Sequence, residues 1–239
     1  MGFYSAEADI AIIRGVVLWR VKLFSPEGVR LPQGMDGKFG LGSVWTWTAL
    51  DADTKPIPAW LVGSRDAEAA DAFMQDLAGR VANRVQLTTA GHKAYLNAVE
   101  GAFRNEIDCA MLLKIYGNAP QPDTRYSPAE CIGCRKENVS GEPDWKHVST
   151  SYDERSNLTM RMSMRRFTRL TNGFSKKLEN HACAVAVYMM IYNFARIHKT
   201  LRCTPAMEAG IVDHVWSYEE TAALLPEPKA GPRGPYKQR

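Results

Sequence analysis

From Val44 onward, apolar and polar positions alternate in short, well-punctuated periods. "VWTWTALD" is β-branched and aromatic and predicts a strand. "DADTK" predicts a turn and "IPAWLVG" a second short strand, so the pair reads as a hairpin. Asp66 then caps "AEAADAFMQDLAGRVANR", in which Ala70, Phe73, Met74, Leu77 and Val81 fall at helical spacing. "VQLTT" predicts a strand, "KAYLNAVEGAF" a helix and "CAMLLKIY" another strand. Hairpin, helix, strand, helix, strand is the order of an α/β layer with a sheet in the middle. Upstream of Val44 the pattern is less regular. "VVLWRVKLF" has strand composition, whereas "SPEGVRLPQGMDGKFGLG" is dense in Gly and Pro and predicts loop.

Residues 117–146 form a long Pro- and Gly-rich interruption, of the kind that is either functional or mobile. Two helices follow. The first is expected from Tyr152 to Leu170, ending in "TNG" at Gly173. The second starts at a Ser175 cap, with Leu178, Ala182, Val185, Met189 and Tyr192 as its buried stripe. The end, "EPKAGPRGPYKQR", sets four basic residues among Pro and Gly and predicts a disordered tail. The chain thus divides into an N-terminal segment 1–43, a main domain 44–212, and a C-terminal extension with its basic tail, 213–239. No internal repeat is present.

Composition narrows the class without deciding it. The 239 residues are 45% hydrophobic and 23% charged, ordinary for a globular protein with a sizeable core. Net charge is +4, so the placement of the basic residues matters more than their excess. Five cysteines, an odd number, do not read as a secreted disulfide framework. No segment approaches the ~18 apolar residues of a membrane span, and the apolar start is broken by Arg14, which argues against a signal peptide. The expected setting is the cytoplasm.

Between Glu154 and Lys177 lie seven basic residues, Arg155, Arg161, Arg165, Arg166, Arg169, Lys176 and Lys177, and Glu154 is the one acid. At about 100° per residue, Glu154, Arg161 and Arg165 share a narrow helical sector, while Met160, Met164 and Phe167 share an apolar one. Two readings fit: an amphipathic helix with a solvated charged face, or a helix that tracks a phosphate backbone through its arginines.

The wording of this stretch, "ERSNLTMRMSMRRFTRLTNGFSKKLENH", resembles the catalytic helix region of bacterial insertion-sequence transposases of the DDE superfamily. More specifically, it looks like the family founded on insertion sequence one. "VWTWTALDADTK", "AWLVGSRD", "VQLTTAGHKAY" and "YNFARIHKTLRCTPAMEAG" match the same family in the same order, from about Gly34 to Gly210. The resemblance implies a ribonuclease H-like fold, a bacterial protein, and DNA cleavage and strand transfer. Such enzymes use two Mg²⁺ or Mn²⁺ ions held by three carboxylates. One carboxylate lies on the first strand, one just past the fourth strand, and a glutamate on the late helix. The glutamate maps onto Glu154. The second position maps onto Ala90, whose methyl group cannot coordinate a metal. No acid lies between Asp9 and Glu27 to serve as the first. Agreement downstream and its loss upstream of Leu31 is the pattern a frameshift or recombination in the parent gene would leave.

Three functions follow from the resemblance. One is a degenerate transposase that retains at most DNA binding, to transposon ends or non-specifically. Another is a working enzyme with an altered metal site, for which Asp51 is the candidate substitute ligand. The third is a nucleic-acid-binding accessory protein that joins, and interferes with, an intact transposase. A homo-oligomer or a hetero-oligomer with such an enzyme is the expected assembly. In the residues themselves, Asp51 and Asp53 also read as turn-formers, and Asp153 should point about 100° from Glu154. Cys131 and Cys134, in "CIGC", have CxxC spacing, but a structural zinc site needs four ligands and no second pair is in reach of the pattern. His198, in "RIHKTL", could contact DNA or cap the fold, and His92 would flank a metal site beside Ala90. Trp45, Trp47 and Trp60 alternate on strands as sheet-face packing. Arg233 in the tail could enter a minor groove or be solvated.

Overall fold

A computed structural model describes residues 13–23, 42–117, 131–167 and 177–225. Six strands form one mixed sheet: β1 (Ile13–Leu23), β2 (Gly42–Asp51), β3 (Trp60–Gly63), β4 (Val85–Ala90), β5 (Ile107–Tyr116) and β6 (Cys131–Ser140), in the order β3-β2-β1-β4-β5-β6. β1 pairs antiparallel with β2 and parallel with β4, and β4 pairs parallel with β5. Parallel neighbours require crossovers. These carry α1 (Ala67–Ala78), between β3 and β4, and α2 (Ala94–Phe103), between β4 and β5. The central strand comes from the N-terminal segment, so the sheet extends across the division expected at Val44.

Alternation along β2 gives each sheet face its own core. Trp47 and Ala49 pack with Phe73, Met74 and Leu77 of α1, Leu87 of β4, and Tyr95 and Val99 of α2. Leu50 faces the other way, into a cluster with Ile57, Met160, Phe167, Val185, Tyr188 and Tyr192. Trp47, Phe73 and Tyr95 are fully buried and in ring contact, at centroid separations of 5.8 and 5.4 Å. Trp45 is half-buried, with the Arg65 guanidinium 4.7 Å above its ring.

The hairpin and the alternating helices and strands lie where the periodicity places them. α1 begins at Asp66, whose carboxylate accepts the Ala69 N–H at 2.9 Å, the N-cap bond expected of aspartate. It ends at Ala78, and Val81 packs on the core from beyond the helix. Three elements depart from expectation. Part of the interruption at 117–146 is the strand β6, paired along its length with β5. β6 is an edge strand with most side chains in solvent, so it has no apolar alternation to betray it. The basic helix, α3 (Ser151–Ser163), stops before Leu170. Met164 is extended, and a short 3₁₀ turn over Arg165–Phe167 carries Phe167 into the core against His181, at 5.4 Å. α4 (Leu178–Met190) continues into a π-helical segment at Ile191–Ala195. Its buried residues are His181, Val185, Tyr188 and Met189, while Leu178 and Ala182 are half-buried. Two short helices close the described chain, α5 (Pro205–Glu208), capped by Thr204, and α6 (Tyr218–Ala223), with a capping box from Ser217 and Glu220. The expected Ser175 cap, Gly173 terminator and basic tail lie outside the described residues.

His181 gives the fold a pH signature. Burial first, and then the nearby Arg166 charge, push its imidazole from 6.5 down to about 4. A depressed histidine contributes stability that is complete above pH 6.5 and is lost as pH falls through the folded value. Over that window the loss is about 3 kcal/mol. Chemical denaturation of the native chain between pH 7 and 4 should show this decline superimposed on the carboxylate titrations. His181→Gln should flatten it, and an unchanged slope in the variant would place the effect elsewhere.

Candidate functional site

The resemblance directs attention to the end of β4, and strand register shows what surrounds it. Val17 of β1 is opposite Thr48 of β2, and Val16 is opposite Thr89 of β4. Ala90, the last residue of β4, is opposite Leu112 of β5, which is opposite Lys136 of β6. Extended by one residue past Val16 and Thr89, the register gives a row at the end of β4 that reads Thr48, Val17, Ala90, Leu112. β1 itself, IRGVVLWRVKL, contains no acid anywhere along its length.

The first turn of α3 spans this row. Its buried face is polar where a helix normally places apolar residues: Asp153, Ser156 and Asn157 are buried, followed by Met160. Asp153 is fully buried. Its carboxyl group bonds to the Thr48 hydroxyl and accepts from the Asn157 amide at 3.3 Å. Its second oxygen, Oδ1, is buried without a hydrogen-bond partner. Burial, and then the adjacent Glu154 charge, hold this acid well above the ordinary aspartate range. The interior thus favours the protonated over the ionised form of this side chain. The two neighbouring acids of α3 thus have opposite environments, as their 100° separation requires. Glu154 is half-exposed on the other side of the turn. It accepts a hydrogen bond from the Thr150 hydroxyl at 3.0 Å and forms an ion pair with Lys114 of β5. Burial works against the Lys114 ammonium, but the bond and charge of Glu154 outweigh it and hold its pKa above the ordinary lysine value.

Asp153 reaches β2 and Glu154 reaches β5, so the positions of Val17 and Ala90 lie between them in strand order. The register thus places Ala90 in line with Thr48 and Leu112, and Lys114, the partner of Glu154, lies two residues beyond Leu112 on β5. Lys114 was not anticipated from the sequence. A single lysine within the apolar run of β5, two residues beyond the partner of Ala90, was the available signal.

Neither a family model nor a curated protein matches this chain.

The other expected residues are dispersed. Asp51 is buried at the end of β2, where it accepts the Asp53 N–H at 3.0 Å and the Thr54 hydroxyl. Burial raises its pKa against those bonds, and its oxygens are occupied by the turn that it forms. Arg155 and Arg165 are exposed, and Arg161 and Arg166 are half-buried. Because α3 ends at Ser163, Arg165 does not continue the helical sector of Glu154 and Arg161. Lys177 is exposed just before α4, and Arg169 and Lys176 lie outside the described residues. Cys131 and Cys134 are exposed on the edge strand β6. Among the described residues no three His, Cys, Asp or Glu side chains converge as a metal site. His92 packs edge-on against Tyr95, at 5.6 Å, and its pKa is lowered by burial and then by Arg65.

Asp153 carries the prediction of this site. A raised aspartate destabilises the fold once the unfolded chain can ionise, so stability should fall as pH rises from the ordinary value of 3.8 toward the higher folded pKa. Asp153→Asn keeps the shape and cannot ionise. Its melting temperature should exceed that of the native chain at pH 7, with the difference vanishing near pH 4. A variant that is less stable at neutral pH would mean that the buried carboxylate is charged and paired.

Proposed function

We propose that this chain is a ribonuclease H-like domain of DDE-transposase lineage that has lost its metal centre and retains DNA binding without cleavage. The observation that carries the reading is the row beneath α3. The order β3-β2-β1-β4-β5, with antiparallel β1 to β3 and helices in both parallel crossovers, supports the ribonuclease H-like assignment. In that arrangement the metal-binding carboxylates belong on β1, just past β4, and on the late helix. Here those places hold a strand without acids, Ala90 and Glu154.

The residues present do not fit a pair of Mg²⁺ or Mn²⁺ ions. Hard divalent cations need several oxygen ligands. Glu154 offers one carboxylate, and that carboxylate is neutralised by a lysine from the same sheet. Asp153 is turned inward, fully buried against Thr48 and Asn157, and Asp51 is committed to its turn. Lys114 places a fixed +1 beside the surviving acid, where a working centre would place an exchangeable +2. An ammonium balances the charge but polarises no water and bridges no phosphate.

Two measurements test this. Ala90→Asp alone should not restore joining of a donor end to target DNA in Mg²⁺ or Mn²⁺, because the first-strand ligand would still be missing. Strand transfer by that single variant would defeat the degenerate reading and leave an active enzyme with an altered site. Glu154→Gln removes the acid, keeps its shape and leaves the Lys114 charge uncompensated. A carboxylate near a phosphate is repelled by about 1 kcal/mol at 4 Å in water. The variant should therefore bind duplex DNA a few-fold more tightly, equally in Mg²⁺ and in chelator. A loss of Mg²⁺-dependent affinity would show instead that Glu154 holds a metal.

A further inference from the structure

The turn between β2 and β3 is joined to the segment after α4, more than a hundred residues away in sequence. The Asn193 side chain accepts the Ile57 N–H at 2.9 Å and donates to the Ile57 carbonyl at 3.0 Å. The Tyr192 hydroxyl donates to the Lys55 carbonyl at 3.1 Å. The loop that follows, Arg196 to Arg202, is closed by Arg202 N–H to the His198 carbonyl and His198 N–H to the Cys203 carbonyl, both 2.8 Å. It is then fixed to α5 by the Thr204 cap.

Both joined elements carry cations. The loop, RIHKTLR, contains Arg196, Lys199 and Arg202 and no acid. The turn contributes Lys55, whose ammonium lies 4.1 Å over the Tyr152 ring at the start of α3. Burial, then Lys55, then Arg196 hold His198 below its ordinary pKa, so these charges act on a common region. Lys55 and Arg202 adopt φ values of 70 and 63, left-handed backbone that side-chain-bearing residues seldom take. Such geometry persists where surrounding structure holds it, here the bonds from Tyr192 and His198. The Lys55 ammonium also donates to the Ala52 carbonyl, within a turn that carries the exposed Asp53, while Asp51 bonds to that same turn and Glu208 accepts from the Cys203 thiol at 3.2 Å.

We infer that Lys55 and the Arg196–Arg202 loop form a built phosphate-contacting surface for the backbone of a DNA duplex, separate from the arginines of α3. The inference rests on the DNA-binding part of the proposed function and says where the strand lies. Extent distinguishes a polymer from a single anion. Lys55 is over Tyr152 at one end of α3, and Arg196 donates to the Ser163 hydroxyl at the other, at 3.2 Å. Eleven residue steps of helix correspond to roughly 16 Å, against about 3.4 Å per phosphate along one strand. An inorganic phosphate could meet one of these cations, whereas a strand meets them in series.

Lys199 and Arg202 are exposed and suit a test in the full chain. A short fluorescein-labelled DNA duplex is titrated over a range of salt with the native chain, with Lys199→Gln/Arg202→Gln, and with Arg135→Gln/Lys136→Gln on the distant edge strand. Circular dichroism checks that each variant is folded. The loop variant should bind more weakly, with its log–log salt slope reduced by about 1.8, or 0.9 for each lost phosphate contact. The edge-strand variant should keep the native slope. A loop variant with the native slope, or an equal reduction in both variants, overturns the surface while leaving DNA binding intact. Absence of salt-dependent binding by the native chain overturns the DNA-binding reading and this inference with it.

Discussion

Trp47 and Thr48 are neighbours on β2, both buried, one facing α1 and α2 and the other facing α3. A sheet covered on both faces must find partners for every side chain on its inner strands. The first face does so chiefly with apolar residues, and the ring contacts of Trp47 with Phe73 and Tyr95 tie its two crossover helices to the sheet. The second face is divided. Near the 52–57 turn and α4 it is apolar, whereas under the first turn of α3 it is polar, with Thr48, Asp153, Ser156 and Asn157 out of water. The position of α3, and with it that of Glu154, depends on this partly satisfied contact.

A buried acid with one unpartnered oxygen is an expensive way to dock a helix. It is compatible with the proposed loss of a metal centre from this end of the sheet. In a working two-metal centre the cations hold helix and strands together through shared carboxylates. Here the two charges are handled locally: burial disfavours the ionised form of Asp153, and Glu154 pairs with Lys114.

The cationic surface at the other border of α3 is organised by different means. Asn193 and Tyr192 bind the backbone of the β2–β3 turn, and the π-helical segment is what presents them to it. That junction also meets the polar face of α3, because the Tyr192 hydroxyl is hydrogen-bonded to the Ser156 side chain as well.

The regular elements of the first core were legible in the sequence because their burial is periodic: Ala70, Phe73, Met74 and Leu77 repeat at helical spacing, and Asp66 announces the start. The absence of an acid at Ala90 and along β1 is likewise a property of the chain alone. β6 could not be read, because an edge strand is specified by main-chain pairing with β5 and leaves its side chains in solvent. The early end of α3 depends on Phe167 reaching α4, a contact that helical periodicity cannot foresee. Tertiary structure also decided which of two adjacent acids was buried, paired Glu154 with a lysine forty residues away, and joined Lys55 to the loop after α4. Burial repeats locally and leaves a mark in the sequence, whereas the partner of a charge is set by which strands the fold brings together.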